Sequence, residues 1–212
     1  MRAGARAIAP FLPAVLAFGV SFGVLARAAG MGPVAPIVMS ATTFAGSAQF
    51  AAASILGGAG TVAAAIVAAV LLNARYAPMS LAAGPWFHGP PWRRLLASQL
   101  IVDESWALSA RGAGRFDVPF LLGAGLTLYP MWVGGTAVGV LAGDFVGDPE
   151  RLGLDAAFPA LFLALLAGQV EGRRAKLAAV LGGAIALALV PWTPAGVPII
   201  AAAAACLIGL RR

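Results

Sequence analysis

Long apolar runs alternate with short polar or Pro/Gly-rich breaks along almost the whole chain. A helix needs about 20 apolar residues to cross the hydrocarbon core of a bilayer. Runs of that length or somewhat shorter cover Pro10–Ala29, Ala35–Leu56, Gly60–Ala83, Val118–Ala142, Ala156–Val170, Leu177–Val190 and Val197–Leu210. The last three are short, and would have to thin the bilayer locally or insert only in part. Leu95–Ala110 mixes Leu95, Leu96, Leu100, Ile101, Val102, Trp106 and Leu108 with Asp103 and Glu104. A broken or re-entrant helix is the expectation there, because irregular backbone at membrane depth is tolerated only against protein or a cavity. No strand pattern, soluble domain or internal repeat interrupts this layout. The predicted fold is an all-α, polytopic integral membrane helical bundle of about 7–8 transmembrane segments, some short or broken, in a single domain spanning 1–212.

Composition agrees. The chain is 61% hydrophobic and 10% charged, against about 25% charged for an ordinary soluble domain. The net charge of +6 does not point to nucleic acid. The basic residues sit at segment ends: Arg2, Arg6, Arg93, Arg94, Arg173, Arg174, Lys176, Arg211 and Arg212. Arg and Lys placed so fix membrane orientation by staying on the cytoplasmic side. Both termini therefore read as cytoplasmic. The stretch 143–155, with Asp144, Asp148, Glu150 and Asp155 against Arg151, reads as external. Both termini inside require an even number of crossings. Counting Leu95–Ala110 as a short crossing gives eight and leaves Arg93 and Arg94 outside; this arrangement is preferred. An alternative keeps that pair inside and makes one of the first three segments re-entrant. The N-terminal run resembles a signal peptide, with Ala26-Arg27-Ala28 as a cleavage-like site, but its length and the spans that follow make it a retained first span.

Polar residues inside apolar segments are expensive and tend to line a pathway or join helices. Gly46-Ser47-Ala48-Gln49 offers neutral donors and acceptors beside small residues that let a ligand or a backbone approach. It suits the charged ends of a small zwitterion and equally suits interhelical hydrogen bonding. Asn73 and Tyr76, three apart, would share a helix face, with Arg75 pointing elsewhere. Arg75 would snorkel to the interface or grip a carboxylate. Asp103 and Glu104 are the acidic pair available for proton coupling, with an ion pair to Arg75 or Arg111 as the structural alternative. Gly19/Gly23 and Gly135/Gly139 are small-xxx-small pairs suited to close helix contact. Pro130 is expected to kink its segment.

Cys206 and His88 occur once each, so neither a disulfide nor a Cys/His metal site is expected. No cofactor or metal is expected. A hydrolase using Ser47 with His88 as base is a remote alternative. A passive channel or scaffold would share the composition.

Phe44-Ala45-Gly46-Ser47-Ala48-Gln49-Phe50, followed by Asn73-Ala74-Arg75-Tyr76 and then Val102-Asp103-Glu104-Ser105-Trp106-Ala107-Leu108, resembles the AzlC-type family. These are large subunits of branched-chain amino-acid exporters. The likeness is specific from Pro13 to Leu108 and rests on hydropathy in the C-terminal third. It implies a permease of the cytoplasmic membrane that exports valine, leucine, isoleucine and sometimes methionine, coupled to the proton gradient. It also implies a small AzlD-type membrane partner. Substrate binding would fall to Gly46, Ser47, Gln49, Asn73, Arg75 and Tyr76, and proton coupling to Asp103 and Glu104. The family often carries His after Asn-x-Arg. Here Tyr76 stands instead, with a reference pKa near 10, so a histidine proton role does not transfer.

Overall fold

The computed structural model describes residues 1–112, 114–146, 163, 170, 172–193 and 197–205. They form an all-α membrane bundle. In chain order the helices are α1 (Arg2–Ile8), α2 (Leu12–Ala28), α3 (Ala35–Thr43), α4 (Gly46–Gly57), α5 (Val62–Asn73), α6 (Tyr76–Ala83), α7 (Pro91–Ser98), α8 (Asp103–Ser109), α9 (Val118–Val146), α10 (Gly172–Leu189) and α11 (Val197–Ala203). Among the described residues three helical runs are long and apolar enough to cross a membrane: Arg2–Ala28, Val62–Trp86 and Val118–Gly143. The predicted segment Ala156–Val170 and the acidic stretch after Gly147 lie outside the described residues, apart from Leu163 and Val170.

The first and last of these runs form the spine. A Cβ on Gly19 would stand 2.7 Å from the Trp132 carbonyl oxygen, and one on Gly135 2.6 Å from that of Leu16. Gly23 meets Thr136 in the same way, Gly139 meets Val20, and near the start Gly4 meets Phe120. The two small-xxx-small pairs therefore face each other and let the backbones touch. Contact positions climb together along both helices, so α1–α2 and α9 run parallel. Pro130 lies inside α9, which stays helical on both sides of it.

Contacts at the two ends of these spans fix the course of the chain between them. Gly57, at the end of α4, lies against Ala29 at the far end of α2, so α3–α4 starts and finishes at that far end. Its bend carries Phe44 against Tyr129, ring centroids 5.1 Å apart. At 1.5 Å per residue, Tyr129 lies roughly 16 Å along α9, about mid-membrane. α5–α6 then returns to the N-terminal end, where the Trp86 indole donates to Gly114 O at 2.9 Å. From there α7–α8 dips inward: Leu100 packs on Gly125, and Asp117 N–H donates to Ser109 O at 3.0 Å where α8 comes back. Two broken hairpins thus enter from opposite ends and meet. The preferred arrangement, with Arg93 and Arg94 on the side opposite the N-terminus, is corrected. Both sit at the N-terminal end, and Ala35–Leu56 is the re-entrant segment, because Gly57 ends α4 against Ala29, at the end where α3 began, and Trp86 and Ser109 both bond to the residues just before α9.

Local chemistry explains each break. Phe44 adopts a left-handed conformation, φ 45° and ψ 48°, which costs a non-glycine residue about 1–3 kcal/mol. Burial of the Phe44 ring against Tyr129 offsets this strain. The open carbonyls at the end of α3 are taken by side chains: Tyr129 O–H donates to Ala41 O at 2.8 Å, and Gln99 Nε2 to Thr42 O at 2.7 Å. In the second span Pro78 lacks an N–H, so the Ala74 carbonyl has no partner four residues on. Ala77 N–H takes it instead at 3.1 Å, and the helix tightens into a 3₁₀-like turn at Ala74–Arg75.

Candidate functional site

A cavity of about 270 Å³ opens where the hairpin tips meet the tightened turn of α5–α6. Its polar wall is Gly46 and Ser47 at the start of α4, Arg75 and Tyr76 beside the turn, and Asp103 and Glu104 at the start of α8. The remaining wall is apolar, supplied mainly by Phe11, Val15 and Phe18 of the first span and Leu128 and Trp132 of α9. The volume lies just under the range of about 300–1,000 Å³ typical of drug-sized ligands, so it suits a smaller molecule.

Arg75 ties the polar wall together. Its Nη2 donates to Ser47 Oγ at 2.8 Å and pairs with Asp103 Oδ2 at 2.9 Å. Its guanidinium carbon stands 5.3 Å from the Tyr76 ring centroid, a cation–π distance. Of the two ion pairs open to Asp103 in the sequence, the fold makes the one with Arg75; Arg111 pairs with Asp117 instead. Glu104 lines the same cavity and has no ion pair among the described residues. Arg75 Nε is buried and has no hydrogen-bond partner.

The expectation that Asn73 and Tyr76 share a face, with Arg75 directed away, is corrected. The 3₁₀-like turn shifts the helical phase, so Arg75 and Tyr76 both reach the cavity and Asn73 does not line it. Asn73 Oδ1 is instead buried without a partner.

Gln49 is placed differently from Ser47. It is fully buried and belongs to a closed circuit linking α3, α4 and α9. Trp132 Nε1–H donates to Gln49 Oε1 at 2.9 Å, and Ala45 N–H donates to the same oxygen at 3.2 Å. Gln49 Nε2 donates to Ser40 Oγ at 2.6 Å. The Ser40 and Thr136 hydroxyls are 2.7 Å apart, and Thr136 Oγ1 donates to Trp132 O at 3.0 Å. With Thr136 donating onward, the Ser40 hydroxyl donates to Thr136 and the circuit closes. Of the two readings of this motif, Gln49 takes interhelical hydrogen bonding and Ser47 faces the cavity. Ser40 and Thr136 were missed in the sequence; their register against Gln49 depends on the hairpin. Trp132 stands outside the polar motifs of the sequence, yet it joins the circuit through its nitrogen and walls the cavity with its ring.

The second tip is braced by Ser105, whose Oγ accepts from Val102 N–H at 3.0 Å and donates to Leu100 O at 2.7 Å. Trp106 Nε1–H donates to Met79 O at 3.1 Å and docks α8 on α6. His88 is exposed and does not line the cavity, and Ser47 Oγ accepts from a guanidinium, which is no general base. The geometry offers no nucleophile–base pair at Ser47. No group of three His, Cys, Asp or Glu side chains suited to a metal occurs among the described residues.

Residues 10–146 match the family described as AzlC protein. An uncharacterized membrane protein of Archaeoglobus fulgidus is 36% identical over 209 residues, covering 92% of this chain and 87% of its own length. The branched-chain amino acid transport protein AzlC of Bacillus subtilis is 26% identical over 182 residues, 84% of this chain and 71% of that one. An uncharacterized membrane protein of Helicobacter pylori is 28% identical over 175 residues, 81% and 76% of the two chains. No solved structure matches the chain. The matched region ends with α9 and contains both hairpins, the tightened turn and every cavity residue. This membrane protein belongs to the AzlC family.

Proposed function

We propose that the chain is the large subunit of a secondary transporter that exports branched-chain amino acids across the cytoplasmic membrane. In this reading both termini face the cytoplasm, the proton gradient drives export, and a small AzlD-type membrane subunit completes the unit. The observation that carries the proposal is the Ser47–Arg75–Asp103 chain set against an apolar wall in a small cavity at mid-span.

The chemistry is one of partner exchange. With no substrate, Arg75 and Asp103 neutralise each other. An entering amino acid offers a carboxylate to Arg75 and Ser47, next to first-turn amides of α4 that have no intrahelical acceptor. Its ammonium replaces Arg75 at Asp103. The aliphatic side chain fills the space between Phe18, Leu128 and Trp132, where each buried methylene contributes about 0.8 kcal/mol. The zwitterion brings no net charge, so one cation still faces two carboxylates. Protonation of Glu104 removes that excess, and an isolated charge at membrane depth costs several kcal/mol. Glu104 is therefore the proton carrier, and Asp103 the substrate partner.

The test is counterflow of labelled leucine in proteoliposomes with the small partner, with and without a pH gradient. Saturable uptake that responds to the gradient is expected. Glu104→Gln should keep exchange but lose the response to the gradient, while Asp103→Asn should raise KM. Folded, partnered protein that moves none of leucine, valine, isoleucine or methionine would sink the proposal. A gradient response that survives Glu104→Gln would remove that residue from coupling.

A further inference from the structure

At the N-terminal end of the bundle, α7 begins five residues beyond the membrane-spanning run that closes at Trp86. It buries none of its residues. Trp92, Leu95 and Leu96, at spacing i, i+3 and i+4, form one apolar stripe and are 57%, 72% and 66% exposed. Arg93 and Arg94 lie off that stripe and are also exposed. Arg93 stands over the Trp92 ring, 5.0 Å from its centroid. The helix then descends to Gln99, which reaches the α3–α4 bend. Trp92 and the two arginines therefore sit at headgroup depth, and Leu95 and Leu96 one turn deeper.

Three features narrow the occupant of this face. The preceding run Val62–Trp86 is likewise apolar and poorly buried, so apolar surface stands open on both sides of the intervening turn. The two charges of α7 are both positive, and exposed Arg2, Arg6 and Arg115 lie on the same end of the bundle, where the one nearby carboxylate among the described residues, Asp117, is taken by Arg111. An indole carrying a guanidinium on its face is the amphipathic pair found at membrane–water interfaces. In a zwitterionic headgroup the lipid's own cation offsets the phosphate, whereas an anionic headgroup brings net negative charge to two adjacent guanidinium groups.

We propose that the first turn of α7 binds the headgroup of an anionic phospholipid, with Arg93 and Arg94 on its phosphate and Leu95 and Leu96 against its acyl chains. The lipid pins the outer half of the α7–α8 hairpin, whose tip holds Gln99 on the α3–α4 bend and places Asp103 at Arg75. The proposal does not depend on the transported substrate.

The experiment uses the full chain with Cys206→Ser and Leu95→Cys, labelled at position 95 with a small fluorophore, in vesicles of phosphatidylcholine. Nitroxide-bearing phosphatidylglycerol or nitroxide-bearing phosphatidylcholine is added at equal mole fraction as quencher. Stronger quenching by phosphatidylglycerol is expected. The preference should fall about 25-fold in the Arg93→Gln/Arg94→Gln double variant, at about fivefold per arginine, and should weaken in high salt. The Arg93→Lys/Arg94→Lys variant should keep most of it. Equal quenching by both lipids would show hydrocarbon contact without headgroup recognition and would overturn the proposal. Quenching by neither would place protein over α7 and would also overturn it. Both readings are independent of transport.

Discussion

Two polar clusters lie on either side of α4, only two residues apart in sequence, and they differ in almost every respect. The Gln49 cluster is fully buried and neutral, and its donors and acceptors run in a closed circuit with Ser40, Thr136 and Trp132. The Ser47 cluster is charged and open to a cavity, and it contains one carboxylate, Glu104, beyond what Arg75 and Asp103 balance. Closed hydrogen-bond circuits hold helices at low cost, because no polar group is left without a partner. An open cluster with surplus charge is a poor fastener, and it remains available to a ligand. The contrast separates residues that shape the α3–α4 hairpin from residues that can touch a substrate.

The largest expected effect comes from breaking the open cluster. Arg75→Ala removes hydrogen bonds to charged and hydroxyl partners. At about 1.5–3 kcal/mol for a charged bond, leucine counterflow should fall roughly 10- to 150-fold. Melting temperature in detergent should change little, since the partners left behind, Ser47 and Asp103, both retain access to the cavity. Loss of folding comparable to that of a core variant would mean that the cluster is structural.

Gln49→Leu attacks the closed cluster and should have the opposite profile. It leaves Trp132 Nε1–H and Ala45 N–H without their acceptor, each at about 1–3 kcal/mol, and takes one of two partners from the Ser40 hydroxyl. Thermal stability should fall clearly, while the KM of protein that remains folded stays near its original value. A KM effect without a stability effect would reverse the assignment of Gln49.

Trp132→Phe tests the residue that belongs to both clusters. It forfeits one hydrogen bond, about 1 kcal/mol, and enlarges the cavity wall. Stability should drop modestly, and the ratio of KM values for valine and methionine should shift in favour of the longer substrate. An unchanged ratio would exclude Trp132 from side-chain selection.

The smallest effect should be at Asp117, an exposed control away from both clusters. Its carboxylate accepts from Phe120 N–H at 3.0 Å and pairs with Arg111, also at 3.0 Å. The backbone hydrogen bond first, and the Arg111 contact second, lower its pKa below the usual 3.8. A lowered folded-state pKa contributes stability above the unfolded value that is lost as pH falls through the folded one. Asp117→Asn should therefore cost less than about 1 kcal/mol at neutral pH, and the difference from the parent should vanish in strong acid. Equilibrium unfolding followed from pH 7 down to below pH 2 measures this.

Much of the fold and part of the site were legible in the linear chain. Hydropathy marked the first span, the Gly60–Ala83 run and α9, because a lipid environment leaves little choice of side chain over about 20 residues. The polar motifs marked Ser47, Arg75, Asp103 and Glu104, because ionisable groups in such segments are costly unless used. Leu95–Ala110 declared itself broken by being too short and too charged. The motif Gly-Ser-Ala-Gln did not reveal that Ser47 and Gln49 serve different clusters. Residues two apart on a helix point in different directions, and which direction holds a cavity depends on the neighbours.

The amino-acid sequence by itself determined that this protein is a helical membrane bundle, where its apolar spans lie and which polar residues they carry. Only the tertiary structure decided that α2 and α9 touch along their glycines, that Ala35–Leu56 turns back, and that Arg75 faces Asp103 and Ser47. The physical reason is that hydropathy reports the environment of each residue alone. Which segment turns back and which charge a residue pairs with arise from contacts between segments far apart in the chain, here Gly57 of α4 against Ala29 of α2 and the turn that Pro78 imposes on α5–α6.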